Sequence, residues 1–293
     1  MERKNGEYQI HLNGVKHWVK VDGFENKTTP LVIIHGGPGG NHYTFEHTVG
    51  PFLAKERTVV YYEQRGCGRS EKPISDTDYT IELLTKDFIE LKNWLKTEKV
   101  DLLGYSFGGE LAFEIASAIP NDINKIVVSG PSLLQSNIQQ IIQIQGFMSV
   151  ANSKILGEIE EILEADINLQ EKYNKVWSFA DHKLVDQLLF ENQEIAKLNR
   201  RLWEESKLTN TGLMIKVLQE NPPKQPLLER LNRIEHKTLI ISGVFDRNTG
   251  LSISKLINNR LNDSHIELFL HSAHFPDLEE TEKFVKVTID FLN

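Results

Sequence analysis

At 293 residues, 40% hydrophobic and 25% charged, the chain has ordinary globular composition, with room for one large core or one core plus a modest insertion. Its net charge of −8, with no Lys/Arg block, argues against a nucleic-acid partner, and no apolar run approaches the roughly 18 residues of a membrane span. Cys67 is the only cysteine, which excludes an intrachain disulfide and fits a reducing cytoplasm.

The opening Met1-Glu2-Arg3-Lys4-Asn5-Gly6-Glu7 has no apolar stretch behind its charges, so no signal peptide is expected. His17-Trp18-Val19-Lys20-Val21 alternates like a half-buried edge strand. Leu31-Val32-Ile33-Ile34-His35, Thr58-Val59-Val60-Tyr61-Tyr62, Val100-Asp101-Leu102-Leu103 and Lys125-Ile126-Val127-Val128-Ser129 are continuous apolar strands. Helical segments over 81–95 and 110–119 separate them, the second stopped by Pro120. Strands of this kind alternating with helices predict a mostly parallel, doubly wound α/β sheet covered on both faces.

The strand pattern disappears over residues 131–230. Ile155, Ile159, Ile162 and Leu163 share a helical face, as do Leu184, Leu188 and Leu189, and 194–207 is a further helical stretch. Pro222-Pro223-Lys224-Gln225-Pro226 breaks the helices. Strands then return at 238–242 and 265–270, with a last helix over 279–292. The expected organisation is a core of residues 1–130 and 231–293 with a helical cap, or lid, inserted over 131–230.

Gly104-Tyr105-Ser106-Phe107-Gly108 places a serine between a strand and a helix, in the pattern G-x-S-x-G. A serine hydroxyl needs a sharp exposed turn, a base, and nearby backbone N–H donors before it acts as a nucleophile. The base and its acidic partner are expected further on, each just past a strand end. Asp246 follows the strand ending at Ser242, and His274 follows the strand ending at Leu270. A lone aspartate there is as easily a turn cap, but serine, acid and histidine in this order point to one catalytic set. His271 is expected at the rim, and Asp277, after Pro276, as a helix cap.

One oxyanion donor is expected at Phe107. The other should come from His35-Gly36-Gly37-Pro38-Gly39-Gly40, with Gly37 first and Gly36 next, since glycines let backbone approach a ligand. No Gly-Lys-Ser/Thr follows, which sets aside a phosphate loop. Tyr105 beside the nucleophile would shape the acyl pocket. Trp177 and Trp203 are expected in helix packing and as pocket lining. Cys67 and Ser70 are read as packing and turn residues. No metal or organic cofactor is implied.

His35-Gly36-Gly37-Pro38-Gly39, Glu63-Gln64-Arg65-Gly66-Cys67-Gly68-Arg69-Ser70 and the Gly-x-Ser-x-Gly-Gly elbow together resemble the α/β-hydrolase superfamily, and within it the proline iminopeptidase branch of serine aminopeptidases. The resemblance covers most of the chain outside the insertion. It implies Ser106 as nucleophile, Asp246 as orienting acid, His274 as base, and Gly37 and Phe107 as oxyanion donors. It also implies a small-molecule or short peptide substrate, with cap glutamates holding its free amine, for which Glu204 and Glu205 after Trp203 are the counterparts here. Glu63 and Gly-Tyr-Ser-Phe-Gly depart from the Asp and Gly-Gly-Ser-Trp-Gly of many members. The alternatives are a carboxylesterase, lactonase or carbon–carbon bond hydrolase with the same triad, or a non-catalytic binding protein on this fold.

Overall fold

The computed structural model describes residues 4–208 and 212–293. Eight strands, β1 (Gly6–Leu12), β2 (Val15–Asp22), β3 (Leu31–Ile34), β4 (Val59–Tyr62), β5 (Val100–Tyr105), β6 (Ile123–Ser129), β7 (Thr238–Gly243) and β8 (Ser264–Phe269), form one sheet. Its order is β1-β2-β4-β3-β5-β6-β7-β8. The β1–β2 and β2–β4 pairs are antiparallel, and every pair from β4 to β8 is parallel.

The continuous apolar strands are explained by burial on both faces. Val32 and Ile34 of β3 enter one core, together with Leu84, Phe88 and Leu91 of helix Ile81–Leu95 and Leu111 and Ile115 of helix Phe107–Ala118. Leu31 and Ile33 point the other way, into a core with Phe45, Val49, Leu53, Phe284 and Ile289. Each strand residue thus alternates between two layers of helix, the period of a pleated strand. The edge assignment differs from expectation. His17–Val21 lies inside β2, one strand in, because Gly6–Leu12 pairs along its whole length and takes the edge. The last helix, expected over 279–292, spans Thr281–Leu292, and a separate turn, Pro276–Glu279, precedes it.

Between β6 and β7 come helices Asn137–Val150, Ser153–Glu164, Leu169–Ser178, His182–Leu189, Gln193–Ser206 and Leu213–Glu220. Asn152, Asn168, Asp181 and Asn192 cap four of them, each side chain accepting from first-turn N–H groups. Ile144, Phe147, Ile159, Val176, Leu184 and Leu188 form a separate core among these helices. Met214, Val217 and Leu218 of the last one pack instead into the sheet's core. Among the described residues, no helix is long and apolar enough to cross a membrane.

Candidate active site

The chain leaves β3 for β4 on one side and β5 for β6 on the other, so a crevice opens beyond the carboxyl ends of β3 and β5. Ser106 stands there, half-buried, between β5 and helix Phe107–Ala118. Its backbone is at φ 54°, ψ −123°, a region that side-chain-bearing residues rarely adopt. The turn is tied down on both sides: Ser106 N–H donates to Ser129 O at 2.9 Å, and Ser106 O accepts from Gly109 N–H at 2.9 Å and Ser132 N–H at 3.1 Å. Phe107 opens the helix, where an N–H has no partner within the helix.

The glycine loop after β3 faces this turn, and Gly36 and Gly37 line the same cavity as Ser106. It is clamped from β4. Gln64 donates from its backbone N–H to His35 Nε2 at 3.0 Å and from its side chain to His35 O at 2.9 Å. Glu63 accepts from His42 N–H at 3.1 Å and is held by Arg69, whose guanidinium lies 3.3 Å above the Trp18 ring. Arg65 grips Asp87 through two bonds of 2.7 and 2.6 Å. The Glu63–Ser70 run is therefore a scaffold for the glycine loop. Cys67 is buried within it, and burial pushes its thiol up. Ser70 Oγ–H donates to Glu63 O.

Asp246 and His274 are both buried, just past β7 and β8, and His274 Nδ1 lies 3.0 Å from Asp246 Oδ2. Burial alone would raise the Asp246 carboxyl. His274, two N–H donors and the Thr249 hydroxyl outweigh it and hold the group down to about 2. A carboxylate can only accept, so the bonded imidazole nitrogen carries the proton and Nε2 keeps its lone pair. That Nε2 is 3.0 Å from the side-chain amide of Asn248.

Ser106 and His274 open into one cavity of about 310 Å³, lined by Phe45, Tyr105, Leu189, Trp203, Phe275 and Leu278. A second lobe of about 170 Å³ continues past Gly37, Ser106, Trp177 and Asn248 towards Gln139, Gln140, Gln143 and Tyr173. A larger groove of about 710 Å³ runs along helix Ile81–Leu95 and Pro222-Pro223, away from Ser106. Tyr105 stacks on Phe45 at 5.6 Å and donates to Asn41 O. Among the described residues, no group of three or more His, Cys, Asp or Glu is gathered as a metal would require.

Glu204 and Glu205 are not in the cavity. On helix Gln193–Ser206, Asn199 and Trp203 share the inward face, and the next two residues turn outward to solvent, where Glu205 sits 3.6 Å from Arg201. His271 is exposed, its N–H donating to Glu280. Asp277, read from the sequence as a cap, does stand in the first turn of Pro276–Glu279, yet it is buried and lines the cavity. Burial pushes its carboxyl up to about 7. Its position two residues past Phe275 was the available signal. Nothing local marks Gln143 or Asn199, whose place depends on how the insertion folds back, whereas Asn248 follows Asp246 by two residues after β7.

The chain is 27% identical to a proline iminopeptidase of Clostridioides difficile over 98% of both chains. It is 25% identical to one of Saccharolobus solfataricus, over 96% of this chain and 90% of the relative. Among solved structures, a proline iminopeptidase-related protein from Thermus thermophilus matches with a TM-score of 0.81 at 20% identity, over 99% of this chain and 98% of the other. A meta-cleavage product hydrolase from Pseudomonas fluorescens matches at 0.71 and 21%, with the same coverage. The family model for the alpha/beta hydrolase fold matches residues 29–281, strands β3 to β8 with everything between them, and the chain belongs to that family.

Proposed function

We propose that this protein is a serine hydrolase working through an acyl-Ser106 intermediate, and that it releases N-terminal residues, proline first among them, from short peptides or arylamides. The observation that carries the reading is the arrangement of three residues just past the carboxyl ends of β5, β7 and β8. Ser106 and His274 face one cavity, and Asp246 is bonded to the far side of the imidazole. Ser106 Oγ attacks the scissile carbonyl as its proton passes to His274 Nε2. Phe107 and Gly37 N–H groups, with Gly36 the alternative to Gly37, hold the oxyanion, each contributing about 3 kcal/mol in the transition state. Collapse expels the amine, which takes the proton from His274, and water repeats the steps to free the acyl group. Asp246 keeps the imidazole oriented. Helices of residues 131–230 act as the lid, and no cofactor takes part.

Two observations support a substrate with a free amine. Relatives named proline iminopeptidase match over nearly the full length. Asp277 is a buried carboxylate on the cavity wall, with no lysine or arginine ion-paired to it among the described residues. An ammonium bound beside it would supply the missing cation. The second reading, hydrolysis of esters, lactones or carbon–carbon bonds, draws on the apolar remainder of that lobe, Phe45, Leu189, Phe275 and Leu278.

Purified protein assayed on aminoacyl-arylamides led by proline, and on short aryl esters, tests the proposal alongside Ser106→Ala. Arylamide turnover lost in Ser106→Ala is the expected result. Ester turnover without arylamide turnover favours the second reading. A wild type inert to both, and unlabelled by an active-site phosphonate, leaves a binding protein.

A further inference from the structure

Asn248 belongs to neither the triad nor the oxyanion pair, yet its side-chain amide is the group bonded to His274 Nε2, at 3.0 Å. The direction of that bond is dictated from the inserted helices. The Trp177 indole can only donate, and it donates to Gln143 Oε1 at 3.0 Å, where the Tyr173 hydroxyl also donates at 2.8 Å. Gln143 is buried, and with its oxygen so engaged it turns Nε2 to Asn248 Oδ1, 2.8 Å away. Asn248 Oδ1 is then the acceptor, and only Nδ2–H remains to face His274. The imidazole must answer with a lone pair at Nε2 and a proton at Nδ1, against Asp246.

Two consequences follow from the chemistry. An imidazolium would set its Nε2–H against Asn248 Nδ2–H, so the contact favours the neutral ring. The lone pair that would take the serine proton is also occupied for as long as Asn248 stays. Trp177 and Asn248 line both lobes of the cavity, as Ser106 does, so a ligand reaching from one lobe to the other passes between them.

We propose that Asn248 is a positioning residue that holds His274 Nε2 in the substrate-free protein and yields it to Ser106 when a substrate spanning both lobes displaces the amide. Gln143, Tyr173 and Trp177 set the amide's direction, which ties the inserted helices to the base. The proposal rests on the reading of Ser106, His274 and Asp246 given above. No covalent bond changes in the handover; one hydrogen bond to Nε2 replaces another. The charged groups facing the imidazole are Asp246, bonded to it, and Asp277 across the cavity. Both favour its protonation, and the Asn248 N–H opposes them. Arg247, next along the chain, turns away to Glu191 at 2.7 Å.

The imidazole itself is the readout: an NMR titration of His274 in ligand-free wild type, Asn248→Ala, Asn248→Asp and Gln143→Met. His274 is expected to titrate about half a unit or more higher in Asn248→Ala than in wild type, and higher again in Asn248→Asp, which can only accept. Gln143→Met should fall between wild type and Asn248→Ala, since it frees the Asn248 amide to rotate without adding charge. It also serves if Asn248→Ala does not fold. Identical titration in wild type, Asn248→Ala and Gln143→Met overturns the contact. Phosphonate labelling of Ser106 at pH 8 should be about twofold faster or more in Asn248→Ala, and an equal or slower rate overturns the handover. A wild type that never labels counts against the nucleophile reading instead, and the titration still decides the Asn248 contact.

Discussion

The Cβ that Gly104 lacks would lie 2.2 Å from the carbonyl oxygen of Gly108, so β5 and the helix after it meet at a distance that only glycine allows. Gly108 has the same relation to β3, where its own Cβ would fall 2.0 Å from Ile34 O. Both obstacles are backbone and cannot swing aside. Gly108→Ala is expected to destabilise the protein by about 1–3 kcal/mol and to lower phosphonate labelling of Ser106. Gly157→Ala is the control: nothing lies within 4 Å of its Cβ position inside helix Ser153–Glu164. It should be neutral or stabilising by up to about 1 kcal/mol in the same thermal melts.

Asp277→Asn tests the amine site. If the carboxylate holds an ammonium, the variant should raise KM for aminoacyl-arylamides about tenfold or more, with less change for neutral esters. The carboxyl loses its proton near 7, so amine binding in wild type should strengthen as pH rises through 7. It should fade again as the substrate amine deprotonates near ~8. An equal effect on amides and esters at every pH would remove Asp277 from this role.

Glu110 links stability to pH. It is buried at the start of helix Phe107–Ala118, accepts from Ser132 Oγ–H and Leu134 N–H on the same oxygen, and burial raises its carboxyl to about 7 from 4.5. The folded protein keeps this proton where the unfolded chain has lost it. Its contribution is therefore complete below ~4.5 and is lost as pH rises through ~7. Glu110→Gln keeps an oxygen for both donors and has no proton to lose. Its melting temperature relative to wild type should rise between pH 5 and pH 8, by the equivalent of about 1–3 kcal/mol. A constant difference across that range would count against the assignment.

Asp101 interrupts the apolar β5 and is fully buried, bonded to Arg57, Asn124 Nδ2 and Lys125 N–H. Asp101→Ala leaves the Arg57 guanidinium buried without its partner and should cost about 3–5 kcal/mol in urea unfolding. Replacing both by leucine should recover most of that loss. A double variant as unstable as Asp101→Ala would show that the charge itself is not what matters.

Strands β3 to β7 were legible because burial on both faces demands unbroken Val, Ile and Leu, a pattern few other environments impose. Gly6–Leu12 was missed for the opposite reason: Glu7, Gln9 and His11 alternate with Tyr8 and Ile10, and an edge strand with one wet face looks much like a loop. Helix Asn137–Val150 was missed because it is wedged between two cores. Ile142 packs towards the sheet while Ile144 and Phe147 face the other inserted helices, so no single stripe forms. At the site, Ser106, Asp246 and His274 could be located because each sits at a strand end. Glu204 and Glu205 went astray because their helix's rotation was not known, and Gln143 and Asn248 meet across 105 residues.

Ile144, Phe147, Ile159, Val176, Leu184 and Leu188 give the inserted helices a core of their own, while Ala196, Met214, Val217 and Leu218 anchor the last two of them in the sheet's cores. That roof can therefore be repacked or exchanged as a unit only where its bonds to the strand ends beneath are kept. Two positions stand out for such an exchange: Gln143, which reaches from that roof to the Asn248 amide, and Leu189, whose carbonyl accepts from His274 N–H.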